Sequence, residues 1–416
     1  MSEGRNLPQV DGVRLWSTLE RSGEIGPGRA GGLCRLPLTD ADRDMRDQFV
    51  AWCREAGCAV TVDRLGNIFA RRAGEDDSLA PVLVGSHLDS QVAGGRYDGI
   101  LGVLAGLELV RTLNDAGIAT RRPIEVVCWT NEEGARFQPP MMCSGAFAGV
   151  HSVESILECR DDDGFVFGEE LARIGYAGDA PVGGRDIDAY FELHIEQGPE
   201  LEREGIALGI VTGGYFTRGM VIDIHGENAH AGPTQMDKRR NALVGAAMMI
   251  VTANEIGWER HPLGKSTSTR IKVWPNKPGI LPDWAQVTVD FRHPDRDTTL
   301  AMEAAMRAAI PVNCARANVD AEITQTWEFG NEVFDASCIE LVRATAAELR
   351  VSHKEMLSQA GHDAYHMTRV APTALLFSPC KDGISHNEAE HIEREYTLPA
   401  VNVLLHSVLA RANRPA

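Results

Sequence analysis

The 416-residue chain predicts an α/β protein of two domains: a larger one on a mostly parallel sheet, and a smaller α/β sandwich inserted into it. Three observations predict this. The length exceeds what one ordinary core fills. A buried strand, a helix and a second buried strand follow one another between residues 81 and 130. In the middle of the chain the pattern changes to alternating strands beside helical stretches. The expected segments are 1–212 for the first part of the larger domain, 213–327 for the insert and 328–416 for the second part.

Residues 81–86, PVLVGS, form a short apolar run bounded by turn residues, as a strand covered on both faces does. Residues 99–114, GILGVLAGLELVRTLN, carry apolar side chains at 100, 103, 104, 107 and 110, which is helical spacing. Residues 123–130, PIEVVCWT, read as the next buried strand. Strand, helix, strand in this order implies a βαβ unit and a parallel pairing. The 41 glycines suit the tight turns of such a fold. In the insert, Met220, Ile222 and Ile224 share one face of a strand over 219–225. Val287, Val289 and Phe291 do the same over 285–292, with Arg292 on the opposite face. Helices are expected over 237–256 and 298–310.

The formal net charge is −18, which disfavours nucleic acid and anionic membrane as partners. No run of transmembrane length is present, and the start MSEGRNLPQVDG lacks the basic and apolar regions of a secretory leader. Nine cysteines without a CxxC pair predict reduced thiols and a cytoplasmic protein, Cys53 and Cys58 being the closest pair.

The chemistry-bearing residues cluster at predicted strand ends, where parallel α/β sheets place their ligands. His87-Leu88-Asp89 closes the first buried strand, and Asp98 follows in Gly94-Gly95-Arg96-Tyr97-Asp98-Gly99. An imidazole and a carboxylate across a flexible loop suit one cation, with Asp89 placed to hold the other ring nitrogen of His87. A satisfied His beside an Asp-Gly turn fits the same residues. Asn131-Glu132-Glu133-Gly134 ends the next strand. Paired carboxylates there can divide the labour, one ligating a metal and one left free as a base. An isolated Glu-Glu is more often an exposed acidic turn. In the stretch Phe191 to Gly198, period two sets Glu192, His194 and Glu196 on one face and Phe191, Leu193 and Ile195 on the other. A solvated strand face is the alternative. Ser385-His386-Asn387-Glu388-Ala389-Glu390 places His386 just past the apolar segment Thr373 to Phe377. Ala229-His230-Ala231-Gly232 and Gly361-His362-Asp363-Ala364 are two further histidine motifs. Three histidines and two acids so disposed make the ligand inventory of a two-metal hydrolase with a bridging carboxylate.

The stretches GSHLDSQVAGGRYDGILGVLAGLE, NEEGARF, ELHIEQGPELE, AHAGPTQMDKRRNAL, AGHDA and SHNEAE lie in order from 85 to 390. Together they resemble the amidase/hydantoinase/carbamoylase branch of the M20 metallohydrolases. Relatives in that branch include N-carbamoyl-L-amino-acid hydrolase, β-ureidopropionase and allantoate amidohydrolase. The resemblance implies that His87, Asp98 and His194 hold one metal, and that Asp98 bridges to a second held by Glu133 and His386. It makes Glu132 the general base, which takes a proton from the attacking water. His194 sits where the peptidases of the wider family usually carry a carboxylate, which favours the carbamoylase side. Gln197 would bind the amide or ureido group, His230 would stabilise the oxyanion from the partner subunit, and Arg292 would grip a substrate carboxylate. Arg292 also fits a surface ion pair.

The same resemblance implies two divalent ions per subunit, zinc first, with manganese, cobalt or nickel compatible with the donors. It also implies a homodimer and an insert that serves as lid and dimerisation domain. The expected reaction is hydrolysis of a linear C–N bond in an N-carbamoyl amino acid, to amino acid, carbon dioxide and ammonia. Allantoate hydrolysis, an aminoacylase or dipeptidase activity, and a metal-binding pseudoenzyme are the alternatives. Three positions depart from the family pattern. Gly279 stands where an Asn is usual, Cys143 stands where a Gly is usual, and Gly213-Gly214-Tyr215-Phe216-Thr217 differs from the usual hinge. They leave the metal residues untouched and bear on substrate identity.

Overall fold

The computed structural model describes residues 8–330 and 332–415. The expectation that the chain starts without a leader falls mostly on residues 1–7, outside the described residues. The chain forms two compact units. One runs to Thr212 and resumes over Val333–Met356 and from Gly361 onward; the other comprises Gly213–Glu332 with Leu357–Ala360.

The larger unit is organised by an eight-stranded sheet. Its order is Ala59–Val62, Ile68–Arg72, Ile124–Trp129, Val82–His87, Ala189–Ile195, Thr373–Ser378, Leu208–Gly214 and His353–Ser358. Its four central strands are parallel, from Ile124–Trp129 across to Thr373–Ser378. All four are buried along their length, so both faces are covered, as a parallel sheet requires. Pairings flanking them at Ile68–Arg72 and Leu208–Gly214 are antiparallel. The helix Ile100–Asp115 crosses between Val82–His87 and Ile124–Trp129, completing the βαβ unit. Thirteen of its residues are buried, far more than one apolar stripe, because it lies inside the unit instead of on its surface.

The smaller unit has a four-stranded antiparallel sheet in the order Asp320–Phe329, Phe216–His225, Trp284–His293, Lys265–Trp274. Met220, Ile222, Ile224, Val287, Val289 and Phe291 point into one core with the helices Ala242–Glu259 and Arg296–Ala317. The first helix starts at Ala242, later than the expected 237. The side chain of Asn241 accepts the N–H of Leu243 at 3.0 Å and caps it there, after a 3-10 turn over Met236–Lys238. The second runs on to Ala317 through Pro311.

Candidate metal and active site

Each central parallel strand ends in residues that face one place. Val82–His87 ends on His87 itself, and Asp98 follows in the loop before the helix Ile100–Asp115. Ile124–Trp129 leads into Glu132 and Glu133, Ala189–Ile195 carries His194 and leads to Gln197, and Thr373–Ser378 leads towards Ser385 and His386. Asn131, Gln197 and His386 adopt left-handed backbone conformations at φ 56, 56 and 52°, a cost that non-glycine residues carry where position matters more than comfort.

Asp98 is the centre. His194 Nε2 lies 3.1 Å and His87 Nε2 3.9 Å from Asp98 Oδ1. His386 Nε2 lies 3.2 Å from Asp98 Oδ2 and 3.2 Å from Glu133 Oε2. Two donor sets share Asp98, His87–Asp98–His194 and Asp98–Glu133–His386, and a third group among the described residues, Glu192–His194–His362, adjoins the first through His194. Glu132 belongs to none of them. It is buried, with Oε2 3.4 Å from His87 Nε2. Gly99 makes room for this packing: a Cβ there would come within 2.2 Å of His87 Nε2, and its φ of +69° favours glycine.

The donor chemistry fits divalent cations. His87 Nδ1 lies 3.0 Å from the Asp89 carbonyl, and His194 Nδ1 lies 3.0 Å from the Ile195 carbonyl. A carbonyl only accepts, so both rings carry their proton on Nδ1 when neutral and turn an Nε2 lone pair to the cluster. This is the tautomer in which imidazole ligates. The Gly99 nitrogen lies 3.1 Å from His194 Nε2. Asp89 holds the other ring nitrogen of His87, as its spacing suggested. Its backbone carbonyl, not its carboxylate, orients His87, because the carboxylate is committed elsewhere. It accepts the N–H groups of Glu132 and Glu133, both at 3.2 Å, and so fixes the loop of the acid pair.

The electrostatics follow from burial and crowding. Burial pushes the Glu132 carboxyl well up, with the Asp363 and Glu133 charges adding to it. Burial would likewise raise Asp98, yet the hydrogen bonds and charges of His194 and His386 hold it well below the ordinary carboxylate range. Burial lowers His87. It would lower His194 too, but Asp98 lifts that imidazole to about 9.

Glu192 is not on a solvated face. It is fully buried and accepts Ser86 Oγ at 2.8 Å, Tyr190 OH at 3.0 Å and the N–H of Ala364 at 3.0 Å. His362 of the Gly-His-Asp-Ala stretch packs edge-on against His194, ring centroids 4.4 Å apart. Gln197 donates to Asp98 Oδ2 at 3.0 Å and to Ser385 Oγ at 3.1 Å, so in this state its amide serves the shared carboxylate. Ser385 and Glu390, to which the motif SHNEAE gave no role, join the same network. Their only signal in sequence was proximity to His386.

His230 and Arg292 belong to the smaller unit. His230 is exposed, in the strand Ala229–His230, and its Nδ1 accepts the N–H of Gly232 at 3.1 Å. Its neutral ring therefore carries the proton on Nε2. The Arg292 guanidinium donates to Asp290 Oδ1 at 3.1 Å and to the Gln359 carbonyl at 3.0 Å. Gly279 has φ +89° with open space where a side chain would start. Asn also tolerates positive φ, so the exchange leaves the turn possible and removes an amide. Cys143 is wholly buried, and burial pushes its thiol well up, which makes it an inert packing group.

Residues 83–410 match the family model for peptidase family M20/M25/M40. An N-carbamoyl-L-amino-acid amidohydrolase of Rhizobium meliloti is 45% identical over 404 residues, covering 97% of each chain. An allantoate amidohydrolase of Bacillus subtilis (strain 168) is 30% identical over 379 residues, covering 90% of this chain and 91% of its own. Among solved structures, an amidase of the hydantoinase/carbamoylase family from Burkholderia vietnamiensis superposes with a TM-score of 0.96 at 50% identity, over 98% of this chain and 99% of that one. The fold is thus shared along almost the whole length with a hydantoinase/carbamoylase-family amidase, and the chain belongs to peptidase family M20/M25/M40, on the side of its hydantoinase/carbamoylase-type amidases.

Proposed function

We propose that the protein hydrolyses the ureido C–N bond of N-carbamoyl amino acids, giving the amino acid, carbon dioxide and ammonia. The observation that carries this is the pair of donor sets sharing Asp98, with the buried Glu132 beside them and in neither. The 45% identical relative, named for that activity, supports the substrate class. His87, Asp98 and His194 would hold one divalent ion, and Asp98, Glu133 and His386 the other. Zinc suits these nitrogen and oxygen donors first, with manganese, cobalt and nickel as alternatives. Bound there, such ions would supply Lewis acidity to the carbonyl and lower the pKa of water towards neutrality.

The protein's own groups do the rest. Glu132, screened from bulk water, takes the proton of the attacking water and returns it to the leaving nitrogen. His230 presents Nε2–H to the developing oxyanion, and Gln197 presents its amide to the ureido group. Arg292, oriented by Asp290 and the Gln359 carbonyl, takes the substrate carboxylate. The insert, read as 213–327, serves as a lid that closes over the substrate.

The chain is also proposed to act as a cytoplasmic homodimer. Among the described residues no helix is long and apolar enough to cross a membrane. The smaller unit exposes Val251 and Trp258 on the helix Ala242–Glu259, and Ile271 and Trp274 on the edge strand Lys265–Trp274. An apolar helix face beside an unpaired strand edge suits a second copy. The substrate is tested by ammonia release from N-carbamoyl-L-α-amino acids, N-carbamoyl-β-alanine and allantoate, with and without chelator. Chelator-sensitive release from an N-carbamoyl amino acid is expected. Release from allantoate alone would move the protein to that activity.

A further inference from the structure

Glu390 is a carboxylate that neither donor set uses, and it is 5% exposed. Its Oε1 accepts the N–H of Tyr97 at 2.8 Å and of Asp98 at 3.1 Å. Its Oε2 lies 3.1 Å from Ser385 Oγ, which in turn lies 2.9 Å from Asp98 Oδ2. One side chain therefore fastens the loop of Asp98 to the loop of His386. The seat is shaped for it: a Cβ at Gly95 would fall 2.0 Å from Glu390 Cδ, so only glycine lets that loop come so close. A buried carboxylate is costly unless its oxygens are bonded, and both oxygens of Glu390 are.

We propose that Glu390 is a positioning residue that sets the geometry of the Asp98–Glu133–His386 donor set. This rests on Asp98 and His386 being metal ligands. The need is specific to that set. His386 stands on a loop at φ 52°, with its side chain 48% exposed. Ser385, its neighbour, is tied to Asp98 and Glu390 at once. Asp98 must face two donor sets, and its main chain is anchored from behind by Glu390 Oε1. Removing the clamp frees both loops, and an ion must then order them as it binds. Loss of such an outer partner typically weakens metal affinity about 10–100-fold.

The chemistry also predicts which replacement is tolerated. In Glu390→Gln the amide oxygen still accepts both N–H groups. The amide nitrogen donates to Ser385 Oγ, whose proton then goes to Asp98. Glu390→Ala loses every one of these bonds.

The test is zinc titration of the chelator-stripped full chain against a competing chromophoric chelator, with circular dichroism and thermal melting to report folding. Wild type should take up two ions. Glu390→Ala should keep its fold and one tight ion, and bind the other at least about 10-fold more weakly, while Glu390→Gln stays within about threefold of wild type. If Glu390→Ala fails to fold, Ser385→Ala, which breaks the link on the His386 side alone, is read in its place and should weaken the same ion. Wild-type affinity for both ions in the alanine variant that is read overturns the proposal, as does a Gln variant as weak as the Ala variant. Wild type that binds no ion rejects the ligand assignment itself, a failure distinct from wild type binding two ions and the variants doing the same.

Discussion

Glu132 and Glu133 are adjacent and chemically identical, yet their surroundings separate them. Glu133 reaches His386 at 3.2 Å and shares a donor set with it and Asp98, while Glu132 is buried against the His87 ring outside both sets. The Asp89 carboxylate creates this split by holding both backbone N–H groups of the pair. Replacing Glu132 by Gln keeps the shape and removes the base. Turnover should fall about 10²–10⁴-fold with ion content unchanged, and near-normal turnover would rule Glu132 out as base. Arg292 makes a second prediction. Lys keeps the charge and loses the fork, so Arg292→Lys should lower kcat/KM about 10–100-fold, since a charged hydrogen bond contributes roughly 1.5–3 kcal/mol. An unchanged value would leave Arg292 as a structural partner of Asp290.

At the scale of elements, Val82–His87, Ile124–Trp129 and Thr373–Ser378 were legible because burial on both faces writes continuous apolar runs into the sequence, whereas Ala189–Ile195 was read from its period-two alternation and proved buried on both faces. The edge strands Lys265–Trp274 and Asp320–Phe329 were not anticipated. Their residues alternate irregularly between partly buried and exposed, and the pairings of both carry register shifts. Asp89 was placed at the ring nitrogen of His87 correctly, but sequence spacing could not say that its backbone carbonyl makes the contact. The clamp at Glu390 was invisible because its partners Tyr97 and Asp98 lie almost three hundred residues away.

A second buttress supports the acid-pair loop. Asp63 accepts Asn67 Nδ2 at 2.8 Å, and Asn67 Oδ1 accepts the N–H of Thr130 at 3.0 Å. Burial raises the Asp63 carboxyl to about 6, against a lowering by its hydrogen bonds with Asn67 and Leu65. Its folded value lies above its unfolded one, so the folded state holds a proton between about pH 4 and 6 that the unfolded state has released, and stability falls as pH rises through that window. Thermal melting of ion-free wild type and Asp63→Asn should show wild type losing ground to the variant from about pH 4 to 6 and no further above it. A difference that does not change with pH would contradict the raised value.

At the scale of the whole molecule, two units divide the proposed work. The larger carries every metal candidate, and the smaller carries His230, Arg292 and the exposed apolar face. Light scattering should return twice the 45.3 kDa chain mass, and Trp258→Glu should shift the protein towards monomer. A wild-type monomer at micromolar concentration would remove the dimer from the account. The most direct test of the central claim is to titrate zinc into chelator-stripped protein while following ammonia release from an N-carbamoyl-L-amino acid. The account predicts no release without metal, and release that saturates at two ions per chain. Full release from the stripped protein, or saturation at a single ion, would contradict it.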